Sequence, residues 1–102
     1  MFSVTSAAAR EVIAAAARSD AAGLALRVAA RRESDGSIAY GMGFDEVREG
    51  DQPRDFDGLT VLVAAGSDAL LEGTVLDFVE LEPGRFDFIF VPPAQAPGAA
   101  GP

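Results

Sequence analysis

A chain of 102 residues in which 16 acids oppose 8 bases, all of them Arg, carries a formal net charge of -8 and has room for one small domain. That acid excess disfavours phosphate backbones, so nucleic acid is not an expected partner. The complete absence of cysteine and histidine excludes disulfides, thiol nucleophiles, imidazole bases and any thiolate- or imidazole-ligated metal held by the chain's own side chains, and leaves the compartment unreadable from cysteine usage.

With 49% of residues apolar and 24% charged, the balance is that of a globular chain. The opening MFSVTS has no basic n-region, and Arg10, Glu11, Arg18 and Asp20 interrupt the Ala-rich run well short of a membrane span. A soluble, cytoplasmic protein without a membrane partner is expected. The hydroxyls of Thr5 and Ser6 precede an Ala-rich run suited to a helix over residues 6 to 19, with Ala9, Val12, Ile13 and Ala16 on its inward stripe. Leu24, Leu26, Val28 and Ala30 alternate with Ala25, Arg27, Ala29 and Arg31, which predicts a strand buried on one face.

The polar stretch Arg32 to Ser37 reads as a turn, and Ile38 to Phe44 as a second strand in which Gly41 and Gly43 suggest a bulge or a close backbone approach. Residues 45 to 57, DEVREGDQPRDFD, lack a sustained apolar face and are expected to form a surface connection. Leu59 to Val63 is a further strand, followed by one helical turn capped by Ser67 and stopped at Gly73. Thr74 to Leu81 and Phe86 to Val91 flank Glu82-Pro83-Gly84-Arg85 and predict a hairpin. Phe86, Phe88 and Phe90 then share one strand face and should anchor the core. Residues 92 to 102, rich in Pro, Gly and Ala, offer no bulky side chain to offset ordering entropy and are expected to be a mobile tail on a single domain spanning 1–91.

The candidate sites are few. Asp51, Asp55 and Asp57 before Gly58 invite a calcium or magnesium reading of the acidic segment, but an EF-hand register puts Pro53 at the first ligand position and Ala64 at the last. Gly41-Met42-Gly43 begins like a dinucleotide loop, yet Glu46 stands where the third glycine is required and no helix follows. The three Phe could form a stacking platform for bases or an apolar ligand, although no basic residues are interleaved with them and core packing is the simpler reading. Ser3, Ser6, Ser34, Ser37 and Ser67 have no histidine base and no G-x-S-x-G elbow. Asp77, a carboxylate inside a strand pattern, reads as an outward-facing strand residue ahead of a catalytic one. No catalytic residue, resident cofactor or metal ligand is assigned, and an enzyme is not expected.

In order along the chain, SVTSAAAREVIAAA, GLALRVAA, SIAYGMGFDE, FDGLTVLVAAGSDALLEGTVLDFVEL and GRFDFIFVPP resemble the A-type iron–sulfur carriers, the HesB or IscA-like proteins, from about Ser3 to Pro93. The most specific stretch runs from Val61 to Phe78, through Ser67, Leu71, Gly73-Thr74 and Leu76-Asp77-Phe78. The resemblance implies a mainly β, sandwich-like or pseudo-barrel domain with an N-terminal helix and one short helical turn. About five strands in the residue-level reading agree with it. It also implies dimers or tetramers. The family's cluster cysteines, one in the turn after the first strand and a Cys-Gly-Cys near the C terminus, align with Asp35, Ala99 and Gly101 here.

A cysteine-free relative is therefore expected, working through contacts with its own copies or with iron–sulfur assembly proteins and holding no cluster itself. The alternative from a different class is a small-ligand or hard-metal binder using residues 45–57 with Asp35.

Overall fold

The computed structural model describes residues 1–93. Its elements are β1 (Ser3–Val4), α1 (Ser6–Arg18), β2 (Ala25–Arg32), β3 (Ile38–Asp45), β4 (Arg54–Phe56), β5 (Leu59–Val63), α2 (Asp68–Leu71), β6 (Val75–Glu82) and β7 (Arg85–Val91). Ala99, Gly101 and all but the first two residues of the segment 92–102 lie outside the described residues. No helix among those described is long and apolar enough to cross a membrane.

The strands form two sheets, one ordered β1-β6-β7 and one ordered β3-β2-β5-β4. In the larger sheet β2 is interior, antiparallel to β3 and parallel to β5, and its alternate residues Leu26, Val28 and Ala30 are buried on the core face. The smaller sheet is the β6–β7 hairpin with β1 added in parallel. Facing side chains from both sheets, from Phe2 and Val4, and from α1 make one core that includes Ala8, Ala9, Val12, Val61, Leu71 and Leu76. The mainly β architecture with an N-terminal helix and one short helix is the one expected.

Thr5 caps α1, its hydroxyl accepting from the Ala8 N–H at 3.2 Å. The buried arc of the helix is Ala8, Ala9, Val12 and Ala16, whereas Ile13, expected inside, is 41% exposed. Alanines at the contact let the helix lie close against β5 and β6. Val12 sits mid-arc, and the 100° step from it carries Ile13 beyond the edge.

Two strands were not anticipated. Two-residue β1 is too short to show a period, and it exists because β6 supplies its partners: Ser3 and Thr5 N–H donate to the Thr74 and Leu76 carbonyls at 3.1 and 3.0 Å. β4 lies inside the supposed surface connection and pairs antiparallel with β5. Asp57 and Gly58, with φ of 52° and 91°, link them as a two-residue hairpin turn. That Asp-Gly pair was the available signal, overshadowed by the acidic composition around it.

Three local expectations are corrected. The β2–β3 register runs unbroken from Ala25↔Asp45 to Arg32↔Ile38, and the space beside Gly41 and Gly43 is open, so these glycines mark neither a bulge nor a close approach. Ser67 does not cap α2: its buried hydroxyl bridges to β2, accepting from the Ala30 N–H at 3.0 Å and donating to the Ala30 carbonyl at 3.2 Å. Of the three Phe on β7, Phe88 and Phe90 pack half-buried against the core, but Phe86 is 54% exposed. The turn end of the β6–β7 hairpin runs past the core, leaving Glu80 to Asp87 in solvent.

Candidate functional site

The turn between β2 and β3 is where the family resemblance puts a cluster ligand. It closes through the Glu33 N–H donating to the Ser37 carbonyl at 2.8 Å and the Gly36 N–H donating to the Glu33 carbonyl at 3.0 Å. Asp35 Oδ1 accepts from both the Ser37 hydroxyl at 2.6 Å and the Ser37 N–H at 3.0 Å. The Ser37 hydroxyl first, then its backbone N–H, holds the Asp35 carboxyl below the ordinary carboxylate range. Asp35 is thus exposed and engaged in stabilising its own turn.

This donor set does not fit an iron–sulfur cluster. Clusters are held by soft thiolates, and a lone hard carboxylate in a chain with no cysteine or histidine cannot replace them. Ala99 and Gly101 have no side-chain donor to add, wherever they lie. Among the described residues no three His, Cys, Asp or Glu side chains come together as a metal-binding group.

The acidic segment is organised around a cation from a strand. Arg27 projects from β2 and binds Asp51 in a bidentate pair, Nη1 to Oδ1 at 3.0 Å and Nη2 to Oδ2 at 2.8 Å. Its Nε reaches Asp45 Oδ2 at 2.8 Å. Arg48 adds a bond from its side chain to Asp45 at 3.0 Å and from its N–H to Asp51 at 2.7 Å. Hydrogen bonds from Arg27, then from the Arg48 backbone, bring the Asp51 carboxyl down to about 2, and Arg27 likewise lowers Asp45. Asp55 accepts from the Gly58 N–H at 3.3 Å within the hairpin turn, and Asp57 accepts from the Ser6 hydroxyl at 2.8 Å. The acids read in sequence as a hard-metal loop are divided among separate structural tasks.

Asp77 is half-buried and turns onto the start of α1. Its Oδ1 accepts from the Thr5 hydroxyl at 2.7 Å and from the Phe78 N–H at 2.8 Å. Phe90 stacks on Tyr40 of the opposite sheet with ring centres 4.6 Å apart and planes 4° from parallel, and Phe2 lies 6.4 Å beyond. Phe78 meets Phe88 at 4.8 Å and Phe86 at 5.7 Å. The aromatic row therefore joins the two sheets at one end and opens to solvent at the other.

One cavity of about 560 Å³ lies between the N terminus, the loop before β4, β5 and α2. Phe2, Phe56, Val61 and Leu71 contribute apolar lining, and Arg54 and Glu72 are among its charged residues. It carried no sequence signal, being assembled from distant segments none of which holds a motif.

No family model and no curated protein matches the sequence. Solved structures do. IscA with a [2Fe-2S] cluster is similar with a TM-score of 0.67 and 24% identity over 91% of this chain and 83% of its own. Escherichia coli SufA, involved in the biosynthesis of iron–sulfur clusters, is similar with a TM-score of 0.71 and 21% identity over 98% of this chain and 90% of its own. A protein from Aquifex aeolicus with a solution NMR structure shares 30% identity, with a TM-score of 0.61 over 86% of this chain and 89% of its own. In agreement with the sequence resemblance, the chain has the fold of IscA and SufA, and it has that fold without a single cysteine.

Proposed function

We propose that this protein is a cysteine-free member of the A-type carrier family that serves iron–sulfur cluster assembly in the cytoplasm through protein contacts, with its own copies or with assembly proteins, and holds no cluster itself. The observation that carries this reading is the pairing of a carrier fold over nearly the whole chain with a turn in which Asp35 is spent on Ser37. A scaffold kept without its ligands retains its surfaces, and those are what remain for a partner to read. A non-enzymatic role is part of the proposal: where a hydroxyl meets a carboxylate among the described side chains, at Thr5–Asp77, Ser6–Asp57 and Ser37–Asp35, no histidine or cofactor fingerprint accompanies the pair.

Anaerobic reconstitution of the purified chain with iron and sulfide should give no cluster absorbance, and affinity capture from its own cells should recover cluster assembly or carrier proteins. A stable cluster on the isolated chain would overturn the reading, as would capture that recovers only proteins unrelated to assembly.

A further inference from the structure

The smaller sheet has an open edge. Among the described residues β6 lies between β1 and β7, and no strand pairs with the outer side of β7. The groups that face outward follow from β1. Because the Thr74 and Leu76 carbonyls accept from Ser3 and Thr5, the even-numbered residues of β6 as far as Glu80 direct their backbone groups away from β7. Residues directly opposite share this alternation, and the register is Leu76↔Phe90, Phe78↔Phe88 and Glu80↔Phe86. Phe86, Phe88 and Phe90 therefore present their N–H and C=O groups at the free edge, while Asp87, Ile89 and Val91 bond to β6.

An edge reading F-D-F-I-F-V, without Pro and without a bulge on its own strand, invites another strand. One residue blunts it: Asp87, whose Oδ1 accepts the Phe88 N–H at 2.8 Å and so occupies a donor that a new strand would need.

We propose that β7 pairs edge to edge with β7 of a second copy of this chain, antiparallel, about a two-fold axis at Phe88. In that register Phe86 faces Phe90, Phe88 faces its own copy, Asp87 faces Ile89 and Arg85 faces Val91. Once Asp87 releases the Phe88 N–H, every outward N–H and C=O finds a partner, aromatic pairs line the seam, and no like charges meet. Sliding the strands so that Asp87 faces Asp87 would oppose two carboxylates, which disfavours the neighbouring register. The pairing also covers Phe86, which is 54% exposed in the single chain. This names a surface for the self-association in the proposed function and does not depend on the tie to cluster assembly, so the two readings fail separately.

The test combines backbone amide exchange by NMR with sedimentation equilibrium on the full chain over a range of concentrations. As the mass climbs from 10.5 kDa toward twice that value, exchange at Phe88 and Phe90 should slow in step, while Ile89 and Val91 stay protected throughout. Added salt should favour the dimer by screening the charge of -8 on each copy. Asp87→Ala should tighten association by freeing the Phe88 N–H. Phe86→Pro, which removes an outward donor and leaves the β6 ladder intact, should abolish it. If Phe86→Pro fails to fold, the exchange pattern of the unaltered chain decides alone. Three results overturn the proposal: a monomer with fast exchange at Phe88 and Phe90 at all concentrations; a monomer in which both are already slow, meaning the edge is not free; or a dimer in which Phe90 exchanges freely, meaning another surface associates.

Discussion

The Thr5 hydroxyl donates to Asp77 Oδ1 at 2.7 Å while accepting from the Ala8 N–H at 3.2 Å, so a carboxylate on β6 orients the cap of α1 across 72 residues of sequence. Both ends of the bond lie on elements brought together by β1 pairing with β6, and the same short strand fixes the entry of the helix. The bond also decides what Asp77 does, since its Oδ1 is shared between Thr5 and the Phe78 N–H.

Removing the cap should therefore cost more than a surface substitution. Thr5→Val keeps the shape and loses both bonds, and should lower unfolding stability by about 1–2 kcal/mol in urea denaturation. Asp77→Ala should destabilise in the same direction, and the double variant should lose less than the sum of the two. Additive losses would show that the two side chains act independently.

The Arg27 knot makes stability acid-sensitive. Asp51 and Asp45 are depressed in the folded chain, so they bind fewer protons there than when unfolded. Their contribution is complete above the ordinary carboxylate value of 3.8 and is lost as pH falls through the folded value, which for Asp51 is about 2. Urea midpoints measured between pH 5 and pH 2 should fall with acid, and Arg27→Met should flatten that part of the profile while lowering the midpoint near pH 7. An Arg27→Met profile parallel to that of the parent chain would show that the knot does not set the acid limit.

Two glycines should respond in opposite directions. Gly41, mid-strand on β3 with open space around it, should accept alanine with a gain of roughly 0.5–1 kcal/mol. Gly73 has a φ of 78°, and a Cβ there would sit 2.9 Å from Pro93 Cγ, so Gly73→Ala should destabilise. Thermal midpoints of the two variants check the contrast, and a stabilised Gly73→Ala would refute the clash.

Much of the fold was legible because its signals are local. Alternation over Leu24 to Ala30, the Pro83-Gly84 turn between two apolar runs, and a hydroxyl before an Ala-rich run each act within a few residues. β1 and β4 were not read, the first because two residues carry no period and the second because its acidic neighbours hid the Asp57-Gly58 turn. Ile13 and Phe86 were placed inside by pattern alone. A stripe or a strand face says which residues share a side, whereas burial depends on how far the opposing layer extends.

By itself the sequence determined that no thiol or imidazole chemistry is available to this chain, and it carried the ordered pattern that resembles the A-type carriers; both follow from residue identity and local spacing. Only the tertiary structure decided where the carboxylates go. Asp35 to Ser37 is a contact two residues apart, but Asp51 to Arg27 and Asp77 to Thr5 span distances along the chain that no local period encodes. Those pairings exist because strand order places β2 beside the acidic loop and β6 beside the helix start. A carboxylate there gains more from a fixed cationic or hydroxyl partner than from remaining in solvent.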